Sequence, residues 1–101
     1  MECGIFAIIA ENVTVEEGAV VEYSLVMPGS VIKKGALVRY AIVAENVVVD
    51  EGATIGERPE DVTDLTKWGV SVVGAGLYVG KNAKISAGVM IRENVKDGDK
   101  Q

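Results

Sequence analysis

The sequence predicts an all-β chain wound as a parallel β-helix of about four to five coils with one inserted loop. Three observations predict it. Residues 9–25, 26–42 and 43–59 align without a gap as a seventeen-residue repeat. Each repeat divides into units of six, six and five residues that open on an aliphatic residue: Ile9, Val15, Val21, Val26, Ile32, Val38, Val43, Val49 and Ile55. A short fixed period of this kind marks a solenoid, in which each unit buries its apolar side only by stacking on the next. Finally, a Gly, Asn or Tyr punctuates the chain every five or six residues, which leaves no room for a helix.

The aliphatic residue that opens each unit defines an inward position. Two places before it stands a small or medium residue: Ala7, Val13, Ala19, Ser24, Ser30, Ala36, Ala41, Val47 and Ala53. Residues two apart on an extended segment share a face, so both sets point inward. Large beside small is what a narrow three-sided prism requires. The residue after the aliphatic one faces outward and is often charged, as at Glu16, Glu22, Lys33, Arg39 and Asp50. Corners fall on Asn12, Gly18, Gly29, Gly35, Asn46 and Gly52, which tolerate positive φ at least cost. In the five-residue units the corner shrinks to Tyr23 or Tyr40.

Residues 57–71 break the period with a proline, an acidic cluster and Trp68, and read as a loop between coils. The period resumes at Val73, Val79, Ile85 and Ile91, with corners at Gly76, Asn82 and Gly88. The polar tail after Val95 is expected to fray. The reading is a single domain over 1–101, with coils at about 4–59 and 72–96.

Composition narrows the chemistry. A net charge of −5 argues against nucleic acid and anionic membranes as partners. The lone Cys3 permits no internal disulfide and fits a reducing compartment, so the cytoplasm is the expected location. No apolar run is long enough for a membrane-spanning helix. The chain contains no histidine, which removes the commonest general base and metal ligand. Cys3 therefore lacks a histidine partner, and Glu16, Glu17, Asp50 and Glu51 are placed at exposed turns where solvation explains them. Catalytic, metal and cofactor residues are expected to be none.

One outward surface stands apart. The first sheet carries Ile8 and Ala10, Leu25 and Met27, Ile42 and Ala44, then Val72 and Gly74, with no charge among them. A corner column of Phe6, Tyr23 and Tyr40 runs beside it. A contiguous apolar face on a charged small protein marks a contact surface, and aromatics and Met are enriched in such interfaces. The expected interface is thus Phe6, Ile8, Ala10, Tyr23, Leu25, Met27, Tyr40, Ile42, Ala44 and Val72. The alternative is that the 57–71 loop, through Trp68 and Leu65, folds back over it. Lys33, Lys34, Arg39 and Arg58 could hold a phosphorylated effector, against the reading that they balance neighbouring acids.

The wording of residues 23–61 and 68–91 goes beyond a generic hexapeptide. The MPG turn at 27–29, the AENV unit at 44–47, the GERPED run at 56–61 and WGVSVVG at 68–74 resemble the C-terminal domain of glucose-1-phosphate adenylyltransferase. The resemblance covers nearly the whole chain and implies a left-handed winding. It also implies a non-catalytic module for oligomerisation and allosteric control in ADP-glucose and glycogen synthesis, from a catalytic or regulatory subunit. The partners implied are further copies, forming a homo-oligomer, and a catalytic nucleotidyltransferase domain that has no counterpart in these residues. Hexapeptide acyltransferases and carbonic anhydrases depend on histidine, so neither activity fits. A free-standing β-helix scaffold is the competing expectation.

Overall fold

A computed structural model describes residues 2–3, 7–57 and 69–101. Their strands form three sheets, all paired in parallel. The first sheet holds β2 (Ile8–Ile9), β5 (Leu25–Val26), β8 (Ala41–Val43), β11 (Ser71–Val73) and β14 (Met90–Ile91). The second holds β3 (Thr14–Val15), β6 (Val31–Ile32), β9 (Val48–Val49) and β12 (Tyr78–Val79). The third holds β1 (Glu2–Cys3), β4 (Val20–Glu22), β7 (Leu37–Arg39), β10 (Thr54–Ile55) and β13 (Lys84–Ile85). The chain visits the sheets in rotation, which makes a parallel β-helix of four coils and part of a fifth.

Stacking follows the repeat. Leu25 pairs with Ile42, Ile32 with Val49 and Val38 with Ile55. Backbone bonds such as Val31 N–H to Val47 O at 2.8 Å carry the ladder from coil to coil. Inside the prism, the opening aliphatic residues from Val21 to Ile85 are fully buried, and the small positions Ala19, Ala36, Ala53 and Ala83 fit between them. Ile9 and Val13 of the first coil are only half-buried.

Every expected corner adopts positive φ, and the non-glycine ones include Asn12 at 59°, Asn46 at 55° and both Tyr23 and Tyr40 at 48°. Tyrosine has no intrinsic taste for this region. The five-residue unit forces it there, because a single residue must turn the chain.

Buried serines close the gaps that corners leave in the ladder. Ser30 Oγ donates to Ala44 O at 2.6 Å and accepts from Val47 N–H at 3.1 Å. Ser24 Oγ likewise donates to Glu22 O and accepts from Ala41 N–H. Backbone groups buried at a corner need partners, and a small side chain with a hydroxyl supplies them.

Three expectations are corrected. The tail does not leave the winding: Val95 bridges Val79, Lys100 bridges Lys84, and Gly98 turns a further corner at a φ of 74°. Lys96-Asp97-Gly98 repeats the pattern of Lys33-Lys34-Gly35, a corner that polarity alone disguised. At the other end, Glu2–Cys3 already pairs with Val20 and Val21, so the winding begins before residue 4. Asp50, expected at an exposed turn, is only 5 % exposed. Its carboxylate accepts a hydrogen bond from the Tyr78 hydroxyl and another from Glu51 N–H at 2.7 Å.

The chain leaves the third coil at Gly56, one residue ahead of the position that Tyr23 and Tyr40 hold. Gly56 has a φ of 82°, and a Cβ there would run into the Arg39 carbonyl. Glu57 then accepts a bond from Ala87 N–H at 3.2 Å, tying the start of the 57–71 loop to the corner between β13 and β14. Of that loop, 58–68 lie outside the described residues.

Two stability outcomes follow from these contacts. Ser30→Ala strands the Val47 N–H and one lone pair of Ala44, and should cost about 1–3 kcal/mol in urea unfolding. Gly56→Ala should cost at least about 1–2 kcal/mol through its left-handed backbone. A wild-type midpoint in either variant would remove the corresponding contact from the account.

The Asp50–Tyr78 bond sets a pH dependence. The Tyr78 hydrogen bond, then Glu51 N–H, hold the Asp50 carboxyl below its ordinary value despite burial, with Lys33 and Lys81 adding smaller attraction. The same bond, with burial and then the Asp50 and Asp97 charges, pushes the Tyr78 phenol up to about 12. Asp50's contribution is therefore complete above its unfolded pKa, about 3.9, and is lost as pH falls through the lowered folded value. Tyr78's contribution is complete below about pH 10 and is lost as pH rises through about 12. The stability gap between wild type and Tyr78→Phe should be flat from about pH 5 to 9 and narrow below about pH 4. A gap that shrinks already at neutral pH would contradict the assignment.

Candidate functional site

The strand register turns the apolar positions of the first sheet into a continuous column. Ile8 stands against Leu25, Leu25 against Ile42, Ile42 against Val72, and Val72 against Met90. Residues on either side of an inward one face outward, so Ala10, Met27, Ala44 and Gly74 form a second column. The ladder bonds from Ala10, Met27, Ala44 and Gly74 place them on successive coils. Ile8 is 66 % exposed and Met90 57 %, while Leu25, Ile42 and Val72 between them are half-buried. Among the described residues, charge enters this face only at Arg92, beyond Gly74 in the second column.

Along the corner next to it, the Tyr23 and Tyr40 rings stack with centroids 4.8 Å apart and planes 10° from parallel. Identical corner geometry one coil apart holds them at stacking distance. Val70, 47 % exposed, lies just before β11. The geometry thus gathers nearly all of the expected interface onto one side. Phe6 lies outside the described residues, as do Trp68 and Leu65, the side chains invoked for intramolecular cover.

The basic residues are arranged differently. Lys33 and Lys34 form the corner between the second and third sheets. They are stacked between Glu16-Glu17 of the coil before and Asp50-Glu51 of the coil after. Lys34 N–H donates to Glu16 Oε1 at 3.1 Å. Alternating sign along the stack places attraction between neighbouring rungs. Arg39 lies at the far end of β7, registered with Glu22, and its Nη2 donates to Gly56 O at 3.4 Å. The corner pair and Arg39 are therefore on different edges of the third sheet, and Arg58 is outside the described residues.

Sequence reasoning missed the Asp50–Tyr78 contact and the serine bonds. Tyr78 offered one signal: it is the bulky residue in a column otherwise made of Thr14, Val31 and Val48. Among the described residues, no group of three or more Cys, Asp or Glu could hold a metal ion. Nor is any helix among them long and apolar enough to cross a membrane.

Comparisons with known proteins agree with the repeat. A family model described as GlmU-like, C-terminal hexapeptide matches residues 6–75. Glucose-1-phosphate adenylyltransferase of Corynebacterium diphtheriae is 46 % identical over 76 residues, covering 72 % of this chain and 18 % of that protein. The same enzyme of Corynebacterium jeikeium is 43 % identical over 76 residues, covering 72 % and 19 %. The chain thus spans about a fifth of the length of these relatives. Among solved structures, the acetyltransferase domain of PglB from Neisseria gonorrhoeae is 19 % identical with a TM-score of 0.49, covering 97 % of this chain and 52 % of that one. GDP-perosamine N-acetyl transferase from Caulobacter crescentus is 18 % identical with a TM-score of 0.43, covering 95 % and 47 %. Wound as a left-handed parallel β-helix, this chain belongs to the GlmU-like, C-terminal hexapeptide family.

Proposed function

We propose that this chain is the C-terminal β-helix of a glucose-1-phosphate adenylyltransferase and serves it as a non-catalytic module for oligomerisation and control. The enzyme would act in the cytoplasm in ADP-glucose and glycogen synthesis. The observation that carries the assembly role is the uncharged column Ile8, Leu25, Ile42, Val72 and Met90 on a molecule of net charge −5. Water contact with such a face is unfavourable, and burying it against an equivalent face would stabilise a homo-oligomer at about 25 cal/mol per Å² of apolar area. The two corynebacterial relatives support the parent enzyme, and their extra length leaves room for a separate catalytic nucleotidyltransferase domain.

Control by a phosphorylated effector would use Lys33 and Lys34, with Arg39 and Arg58 as further candidates. The flanking acids compete at this corner: Asp50 attracts Lys33, and Glu16 already accepts from the Lys34 backbone N–H, so an anion would have to displace them.

The combined substitution Leu25→Glu and Met27→Glu should lower the assembly state in multi-angle light scattering while leaving the far-UV circular dichroism intact. Unchanged mass at equal concentration would remove this face as the contact. An immunoblot of source cells tests the parent. A band several-fold above 10.6 kDa is expected, and a band at that mass would favour a free-standing scaffold instead.

A further inference from the structure

Residues 92–101 are joined to the rest of the chain differently from any other part of the fifth coil. The coils above are held by strand pairs of two or three residues. This segment makes only the single bridges Val95 to Val79 and Lys100 to Lys84. Its side chains are exposed, apart from buried Val95 and half-buried Asp99.

Its side-chain fastenings gather at Tyr78 and Lys81, beside backbone bonds that run along the segment. The backbone N–H of Tyr78 donates to Asn94 Oδ1 at 2.9 Å, and its carbonyl accepts from Val95 N–H at 2.8 Å. Its phenol donates to Asp50, with Asp97 Oδ1 lying 3.4 Å from the same oxygen. Asp97 Oδ1 in turn accepts from Lys81 N–H at 2.9 Å. Gly80 makes this approach feasible, since a Cβ there would meet both the backbone nitrogen and the carboxylate of Asp97. One tyrosine thus links the third coil, its own coil and the segment below.

We propose that residues 92–101 form a strap that opens as a unit, hinged after β14 and latched by the Asn94 and Asp97 side chains to the backbone N–H groups of Tyr78 and Lys81. Opening bares the edges of β12 and β13 while the four coils above stay wound. The segment gives up one buried apolar side chain and a short set of backbone bonds when it opens, and its charged side chains are solvated in both states. Local opening of this kind is drawn from the least buried, least paired elements of a fold. The closed strap covers strand edges that would otherwise be templates for pairing.

Amide hydrogen exchange on the full chain tests it. The strap set is Gly80, Lys84 and Ser86, whose acceptors lie in the segment, with Val95, Gly98 and Gln101, which donate out of it. The reference set is Met27, Val31 and Leu37, bonded between upper coils. The strap set should share one protection factor at least about 10-fold below the reference set. Asn94→Ala, which removes the acceptor of the Tyr78 N–H, should lower it about 5-fold more, the scale of one hydrogen bond, without moving the reference set. Asp97→Ala, which leaves the Tyr78–Asp50 bond in place, should lower the strap set alone. Equal protection of the two sets in the wild type would overturn the proposal. So would an Asn94→Ala effect that is absent or shared equally by both sets.

Discussion

Everything in this molecule depends on one constraint, the stacking of each coil on the next through parallel backbone hydrogen bonds. A single coil cannot satisfy its own N–H and C=O groups or cover its own apolar residues. Ladder bonds such as Thr14 N–H to Ser30 O at 3.0 Å and Leu37 N–H to Ala53 O at 2.8 Å do the first. The aligned column of Val21, Val38, Ile55 and Ile85 does the second. The two requirements are coupled, because a shift of one residue would turn an inward valine outward and move every corner off its left-handed residue.

That coupling explains where the chain has freedom. Inward positions admit aliphatic and small residues only, and corners admit Gly, Asn or a forced Tyr. Outward positions carry no such demand, so their composition records what each face meets. On the second and third sheets it is a mixture of charge and polarity, in part organised as the alternating rungs Glu16-Glu17, Lys33-Lys34 and Asp50-Glu51. On the first sheet it is aliphatic over five consecutive rungs and flanked by stacked tyrosines. The contrast between faces built on the same scaffold is the argument for contact there, since the winding itself gains nothing from an apolar exterior.

The same constraint accounts for the inserted loop and for the lower end. An insertion is compatible with the stack only at a corner, and this one departs at Gly56 where the backbone is already left-handed. Glu57 bonded to Ala87 brings the loop's first residue onto a coil that follows it in sequence. Below β14, single bridges replace the longer strand pairs, and the Asn94 and Asp97 side chains add to the backbone bonds that hold the rest of the fifth coil in place.

By itself, the sequence determined the winding, the corners and the inward column, because each is dictated by residues close together in the chain. An aliphatic residue every five or six positions needs no knowledge of distant partners, and Asn12 or Gly18 announces its own turn. It also determined which face is uncharged, since a regular period assigns every outward residue to a sheet. Only the tertiary structure decided what each polar group meets. Asp50 is buried because Tyr78, 28 residues later, lies beside it once the loop has been spliced out of the stack. Ser30 is more than a small residue because its hydroxyl falls between Ala44 and Val47 of the next coil. Lys96-Asp97-Gly98 forms a coil, not a loose tail, because Tyr78 and Lys81 above present the partners. The physical reason is the same in each case. A period specifies which backbone stacks on which, whereas a polar side chain's energy depends on the particular donor or acceptor within about 3 Å, and the insertion between coils changes which residue that is.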